Sequence, residues 1–337
     1  MEPLVSILIP AFNTEAFVAD AIRSALSQTW QRTEIIVVDD GSTDRTADVC
    51  RGFASSKVAI ITEPHQGAAA ARNKALSLSQ GDYIQWLDAD DILAPDKIAK
   101  QLESVAGDRD GRTLLSCAWA YFHHSPRRAR FVPTRLWADL SPVDWLLCKL
   151  QHNVYMQNAT WLVSREVTDA AGPWDTRLTA DDDGEYFCRV LLASQAVRFI
   201  PEARAFYRRN VGGLHSIGGS KQKIESQFLS TQMHIHYLRS LEDSERVRVA
   251  CLTSLQRFFT FVYPASPDII DRSQRLATSL GGRLVTPQLS WKYAWIERLF
   301  GRPAAKRTSV FSNHYKGVLL GFWNRVRERL EDRSWAP

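Results

Sequence analysis

Three carboxylates occupy four consecutive positions at Asp88-Ala89-Asp90-Asp91. Carboxylates this close repel one another unless a cation or water relieves them. Hard divalent ions such as Mg²⁺ and Mn²⁺ take oxygen ligands of this kind together with substrate phosphates. A solvated turn capping the next helix is the plainer alternative. A second acidic run, Asp181-Asp182-Asp183 with Glu185, precedes the helix-like segment GEYFCRVLLAS. Such a run suits the positive end of a helix dipole, and a carboxylate aimed at a hydroxyl would act as a general base. Asp39-Asp40-Gly41-Ser42 offers an acceptor for a base N–H, with Gly41 letting the backbone turn closely. Taken alone, it is equally an Asx turn with a helix cap. His65 to Asn73 (HQGAAAARN) opens a helix with small residues, where an anionic ligand can approach. It has neither the GxGxxG spacing nor the P-loop Lys-Ser/Thr. Arg208 and Arg209, ahead of a Gly-rich stretch reaching His215 and Ser216, suit a flap over phosphates. A bland surface loop is the alternative there.

The elements that carry these residues alternate. Val5 to Ile9, Glu34 to Val38, Val58 to Thr62 and Tyr83 to Leu87 read as short buried strands. Between them, Phe17 to Ser27, the segment from Arg45 onward (capped by Thr43 and Asp44) and Ala68 to Leu78 have helical spacing. Ile92 to Leu102 reads as a further helix, with Pro95 in its first turn. Strands separated by helices imply a parallel, doubly wound sheet, whose ligands sit beyond the carboxyl ends of the strands. Each of those ends here is polar: Asn13, Asp39 with Asp40, Glu63 with His65, and the Asp88 cluster. From Thr113 to Tyr207 shorter strands (LLSCAWAYF, NATWLVS, RFIPEARAFY) surround a helix carrying Tyr186 to Leu192, and past Lys221 the chain reads as helical.

Bulk composition narrows the classes. The 337 residues are 45% hydrophobic and 23% charged, which suits a globular chain with a real core. A net charge of +5 favours anionic partners only mildly. The five cysteines include no CxxC pair, so neither a disulfide framework nor a zinc site is suggested and a reducing cytosol fits. MEPLVSILIP has no basic region, which argues against a secretory signal. No apolar run reaches the ~18–20 residues of a membrane span.

VSILIPAFN, LSQTW at Leu26 to Trp30, EIIVVDDGSTDRT, GAAAARNKAL and GDYIQWLDADD follow one another in order, and the acidic run comes before Arg189. Together they resemble the family 2 glycosyltransferases, from about Val5 to Ser216. The resemblance implies the GT-A form of the α/β class: a doubly wound, mainly parallel sheet flanked by helices. A mostly helical C-terminal extension follows. Residues 1–220 would be catalytic (1–112 for the nucleotide sugar, 113–220 for the acceptor) and 221–337 the extension. It implies an inverting transfer from a UDP- or dTDP-linked sugar to a glycan or glycolipid hydroxyl, assisted by Mn²⁺ or Mg²⁺, in bacterial surface polysaccharide assembly. Pro10, Ala11, Phe12, Asn13, Glu15, Asp40, Arg72, Asp88 and Ala89 would bind the nucleotide sugar, with Phe12 near the base and Asp40 accepting from its N3–H. Asp90 would hold the metal, with Asp88 and His215 as further ligand candidates, and Arg208 and Arg209 would flank the diphosphate. Asp183 would be the general base. The family's usual Glu-Asp pair is here part of three Asp residues, which makes Asp182 the reserve. Trp161, Trp174 and Tyr186 are the acceptor-stacking candidates.

Two rivals differ in class. A sugar nucleotidyltransferase needs a basic, Gly-rich loop after its first strand, and Pro10 to Glu15 has no Lys, Arg or Gly. A non-catalytic member of the same fold would lack one of the candidate groups, and all are present. No basic stripe or recognised module points to nucleic acid. The basic, aromatic tail (Trp291, Tyr293, Trp295, Phe300, then Lys306, Arg307, Tyr315, Phe322, Trp323, Arg325, Arg327 and Arg329) suits either a helical subdomain or peripheral contact with an anionic inner membrane. The expected location is therefore cytoplasmic, with that inner face as the membrane candidate.

Overall fold

The computed structural model describes residues 2–107, 111–123, 125–209, 220–288, 291–301, 305 and 308. His215 and the basic tail residues from Lys306, Arg307 and Tyr315 to Arg329 lie outside the described residues. The first seven elements alternate as the sequence predicts: β1 (Val5–Ala11), α1 (Val18–Leu26), β2 (Thr33–Asp39), α2 (Thr46–Arg51), β3 (Val58–Thr62), α3 (Ala68–Leu78) and β4 (Tyr83–Trp86). There follow β5 (Ile92–Leu93), α4 (Lys97–Glu103), β6 (Thr113–Phe122), β7 (Arg130–Phe131), α5 (Pro142–His152), β8 (Val163–Ser164), α6 (Arg165–Ala171), α7 (Asp182–Ala193) and β9 (Ala196–Arg208). The helices α8 (Lys221–Leu241), α9 (Glu245–Val262) and α10 (Pro267–Ser279) complete the labelled elements. The chain forms two compact units, 1–254 and 255–337. Helix α8 therefore belongs to the first, although the sequence suggests an extension beginning near 221.

One sheet has the order β3-β2-β1-β4-β8, in which only β8 runs antiparallel to its neighbour. Ile7 of β1 stands opposite Ile35 on one side and Gln85 on the other. Its central strands are apolar on both faces: Ile7, Leu8, Ile9, Ile35, Val37 and Val38 are all fully buried. That is why they read as continuous hydrophobic runs rather than alternating ones. Helix α1 buries Val18, Ala21, Ile22 and Ala25, the stripe its 3.6-residue period predicts. Since β1 pairs with β2 on one side and β4 on the other, the chain reverses its winding at β1. The crevice beyond such a switch point is where doubly wound sheets bind ligands.

A second sheet, β5-β9-β6-β7, carries the strands of the later half. Here β6 and β9 run parallel over ten residue pairs, with a register shift between Cys117 and Ala118. Two expected elements change. The helix expected over Ile92 to Leu102 is β5 followed by α4, so Pro95 lies before the helix and not within it. Ile92 and Leu93 pair with Phe206 and Ala205 of β9, and this tertiary pairing overrides the local helical spacing. In NATWLVS only Val163–Ser164 is strand; Asn158–Thr160 is a 3₁₀ turn closed by the Thr160 hydroxyl on the Gln157 carbonyl at 2.6 Å.

Within the second unit, two glutamine side chains hold an extended segment by its backbone. Gln256 pairs with the N–H and C=O of Val285 at 2.7 and 2.9 Å, and Gln274 with those of Leu284 at 3.3 and 3.2 Å. Trp291, Trp295, Leu299 and Phe300 of this unit are exposed. No helix among the described residues is long and apolar enough to cross a membrane.

Candidate active site

The loops at the carboxyl ends of β1 and β2 lock together first. Asn13, at φ +50°, accepts the Thr43 N–H at 2.8 Å, and its own N–H donates to the Ser42 hydroxyl at 3.0 Å. Glu15 accepts the Arg45 N–H at 2.9 Å while its N–H donates to Asp44 at 3.1 Å. Asn13 and Glu15 thus fix the Pro10-Ala11-Phe12 turn against the DDGS loop. Phe12 is 40% exposed and its ring stacks on His65 with centroids 4.2 Å apart. Together they form an aromatic surface at the strand ends.

Asp40 lies beneath that stack, almost fully buried. Its carboxylate accepts the N–H groups of Gln66 and Gly67 at 2.7 and 2.8 Å and the His65 ring at 2.8 Å. In this structure it holds the start of α3 and presents no open oxygen to a base. Gly41 makes the approach feasible: at φ +69°, a Cβ there would lie 2.7 Å from the His65 backbone nitrogen.

Arg72, on α3, joins the two acidic clusters. It is 7% exposed, and its guanidinium lies 4.3 Å from the centre of the Trp174 ring. It donates to Asp88 at 2.9 Å and to Asp182, 110 residues away, at 2.8 Å. Burial alone would weaken its proton affinity, but the charges of Asp88 and Asp182 outweigh that and hold the guanidinium firmly protonated. The other oxygen of Asp88 accepts from Asn158 at 3.1 Å. Asn158 is placed by the 3₁₀ turn, whose carbonyls are gripped from behind: Gln101 donates to Thr160 O at 3.0 Å and Gln85 to Ala159 O at 3.1 Å. The buried Lys97 ammonium donates to Gln85 and, at 3.3 Å, to Trp161 O. Burial pushes its pKa down to about 8.

Ala89 is buried, Asp90 is half-buried and Asp91 fully buried. Asp91 accepts the Arg208 N–H at 2.9 Å through Oδ1, while Oδ2 has no hydrogen-bond partner. Burial, and then the charges of Asp88 and Asp90, push its pKa well above the usual carboxylate range. Arg208 differs from the expectation of a mobile flap. It is the last residue of β9, buried between Phe17 and Phe122, and donates to Asp90 O at 2.8 Å and to Asp20 at 2.9 Å. With those bonds made it fixes the Asp88-Ala89-Asp90-Asp91 turn from behind and does not reach over it. Arg209 is exposed, 4.2 Å from the centre of the Tyr121 ring.

At the second acidic run, Asp181 adopts φ +58° and caps α7, so that Asp182 and Asp183 form its first turn. Asp182 meets Arg72. Asp183 accepts the Gly184 N–H at 2.8 Å. Burial raises its pKa, as does the charge of Asp181, while Lys149 and Arg72 pull it back down. Asp182 is likewise raised by burial against the opposing pull of Arg72.

The aromatic candidates for the acceptor need correction. Trp161, Trp174 and Tyr186 are at most 1% exposed; Trp174 and Tyr186 stack at 4.1 Å, and Trp161 stacks on Phe187 at 5.4 Å. They fill the core behind Arg72 and offer no ring face to a sugar. An aromatic residue that the sequence did not single out is better placed: Tyr155 is 47% exposed, lies against Trp119 at 5.6 Å and bonds Tyr121 through its hydroxyl. It is within electrostatic reach of Asp183. Asn158 and Lys149 were also missed; both are ordinary residue types in stretches without a motif.

An α/β fold of GT-A type, with one acidic cluster after β4 and a second at the start of α7, is the class these features define. Residues 6–140 match the model of glycosyl transferase family 2. An uncharacterised glycosyltransferase of Haemophilus influenzae is 43% identical over 103 residues, 30% of this chain and 41% of the relative. The UDP-Glc:alpha-D-GlcNAc-diphosphoundecaprenol beta-1,3-glucosyltransferase WfaP of Escherichia coli is 43% identical over 32% of this chain and 43% of its own length. The chain thus spans less than half the length of either. Among solved structures, S. aureus TarS 1–349 in complex with UDP-GlcNAc superposes with a TM-score of 0.57 over 82% of this chain and 84% of that one, at 15% identity. That likeness speaks for the fold alone.

Proposed function

We propose that the protein is an inverting glycosyltransferase that moves a sugar from a nucleoside diphosphate to a hydroxyl of a glycan or lipid-linked glycan in bacterial surface polysaccharide assembly. The observation that carries this reading is the Arg72 bridge. It sets Asp88 and Asp182 on one guanidinium, at 2.9 and 2.8 Å, at the strand ends that also carry the Phe12–His65 surface. Residues 1–220 would serve as the catalytic domain and 221–337 as the extension. The Phe12 ring takes the base, with Pro10, Ala11 and Asn13 shaping its edge. For Asp40 to receive a pyrimidine N3–H, the base would take the place of the half-exposed His65 ring. A uridine donor has support from the UDP-sugar named for WfaP and for the TarS complex.

Asp183 would accept the proton of the acceptor hydroxyl as its oxygen bonds to the anomeric carbon. The bond from that carbon to the diphosphate breaks on the opposite face, and the nucleoside diphosphate departs with the electron pair. A carboxylate whose pKa burial raises above the ordinary range is a stronger base for this task. A divalent cation fits the donor chemistry: three carboxylates in four residues, one with an unpartnered buried oxygen. Among the described residues no three His, Cys, Asp or Glu side chains converge as a cage, which suits an ion that draws other ligands from phosphate and water. Asp90 would hold Mn²⁺ or Mg²⁺, with Asp88 and His215 as further ligands; when bound, the ion would neutralise charge developing on the diphosphate. Arg209 would serve the diphosphate or the acceptor, and Tyr155 would offer its ring to the acceptor sugar. The exposed Trp291, Trp295, Leu299 and Phe300 of the second unit, with Lys292 and Arg298 among them, support peripheral contact with an anionic membrane.

Calorimetric titration of UDP-, dTDP- and GDP-sugars, with and without Mn²⁺, tests the reading on wild type and Asp90→Ala. Metal-dependent binding of one nucleotide class, lost in the variant, is expected. No binding to any of them by folded protein overturns it.

A further inference from the structure

Helix α8 buries residues that a core-facing helix would not choose. Ser226, Ser230, His234 and Tyr237 are spaced by four, four and three, which places them in one stripe along a single face. The two serines and His234 are buried, although Ser and His in place of Leu or Ile forfeit apolar burial along that face. Each of these four residues addresses the acidic turn. The Ser226 hydroxyl accepts the N–H groups of Thr179 and Ala180 at 2.9 and 3.1 Å and donates to Ala180 O at 3.2 Å. Ser230 donates to Asp181 at 2.8 Å, and the His234 ring stands 3.8 Å from the same carboxylate. Tyr237 donates at 2.7 Å to Glu185, which is fully buried and also held by both arms of Arg189 at 2.7 and 2.8 Å. The stripe therefore grips the chain before and after Asp182-Asp183 through side-chain bonds that fall on neither of those two.

The conformation it holds is a demanding one. Asp181 is a non-glycine residue at φ +58°, a region L side chains enter at a cost. Its carboxylate folds back over Gly184, so closely that a Cβ at 184 would lie 2.1 Å from Asp181 Oδ1. A turn of this kind keeps its shape only if its surroundings over-determine it. The His234 ring, its pKa pushed down to about 3 by burial and then by the nearby Lys149, stays neutral and adds no charge beside Asp181.

We propose that the buried polar stripe of α8 is the positioning device for the catalytic acidic turn, fixing Asp181 and Glu185 so that Asp183 is aimed at the acceptor hydroxyl. This rests on the reading of Asp183 as the general base. Ser226, Ser230 and Tyr237 are then positioning residues for turnover, and the donor edge does not depend on them.

Two measurements on the full chain test it with Ser226→Ala/Ser230→Ala, with Tyr237→Phe and with Ser230→Thr. The first is amide hydrogen exchange. In the double variant, exchange across 179–185 is expected to speed by about tenfold or more, while 63–67 at the donor edge keeps its wild-type rates. The second is steady-state transfer. The double variant is expected to lose about tenfold to a hundredfold in kcat with the donor KM within about twofold, Tyr237→Phe less, and Ser230→Thr to stay near wild type. Unchanged exchange at 179–185 overturns the proposal, and so does a loss that falls on donor KM at constant kcat. A wild-type protein that turns over no nucleotide sugar overturns the proposed function instead, and the exchange experiment still decides whether α8 holds the turn.

Discussion

The edge proposed for the donor and the acidic turn at the start of α7 are assembled in opposite ways. At the donor edge, neighbouring loops hold one another across short stretches of chain: Asn13 to Thr43 and Glu15 to Arg45 span 30 residues, and Asp40 to Gly67 spans 27. The acidic turn is held by residues far from it and from one another. Arg72 is 110 residues away from Asp182, Tyr237 reaches Glu185 across 52 and Ser230 reaches Asp181 across 49. The first region is a nearly self-contained motif. The second is set by the packing of α3, α5 and α8, so damage to it should appear in turnover and damage to the first in binding.

The largest expected effect separates the two directly. Asp183→Asn should lower kcat by about a thousandfold while nucleotide-sugar affinity stays near wild type, since a positioned base contributes roughly 10²–10⁴. If Asp182→Asn shows the greater loss in steady-state assays, the base is one residue earlier. Asp90→Ala should next lower kcat/KM by about a hundredfold and abolish the dependence of donor binding on Mn²⁺, read by calorimetry.

A matched pair of glycine substitutions sharpens the contrast. An added methyl at Gly41 meets the His65 backbone at 2.7 Å, and one at Gly184 meets the Asp181 carboxylate at 2.1 Å. At Gly41 the obstacle is backbone and the residue is held at φ +69°, so overpacking costs about 1–3 kcal/mol, whereas at Gly184 the added methyl displaces the Asp181 carboxylate. Gly41→Ala should therefore weaken donor affinity, and Gly184→Ala should lower kcat at nearly constant donor KM. The reverse assignment would break the comparison.

A smaller effect concerns pH. Asp183 is faced by Asp181 of its own turn, which raises its pKa, and by Lys149 of α5 and Arg72 of α3, which lower it. Because burial wins and the net shift is upward, the folded protein holds this proton at pH values where the unfolded chain has lost it. Activity should then fall on acidification along a limb above the ordinary carboxylate range, and the same group costs stability as pH rises through that window. Lys149→Met removes a lowering charge, so the limb should move to higher pH; Lys149→Arg should leave it in place. The smallest effect belongs to the second unit, where Trp291→Ser/Trp295→Ser should reduce flotation with anionic liposomes and leave donor binding untouched.

The same contrast accounts for what the sequence disclosed. DDGS and DADD follow apolar strands, so they stand out as acids where a sheet interior ends, and Ala68–Leu78 is a helix with the bounds its composition predicts. Ile92 to Leu102 misled because its helical spacing competes with a β9 pairing more than a hundred residues on. Trp161, Trp174 and Tyr186 misled because an aromatic ring near an acidic run suits a sugar and a core equally, and only burial separates the two. Ser226, Ser230 and Asn158 gave no signal. Their chemistry is commonplace, and their importance lies in a partner 46 to 70 residues away.

Arg72 has a consequence for how this sequence can drift. One guanidinium answers to two carboxylates that are distant in the gene and adjacent in space. Replacing the arginine alone strands a pair of acids beside a third, and replacing either acid alone leaves half of a buried cation unanswered. Positions 72, 88 and 182 are therefore tied as a triplet, and tolerated change at one should arrive together with change at another.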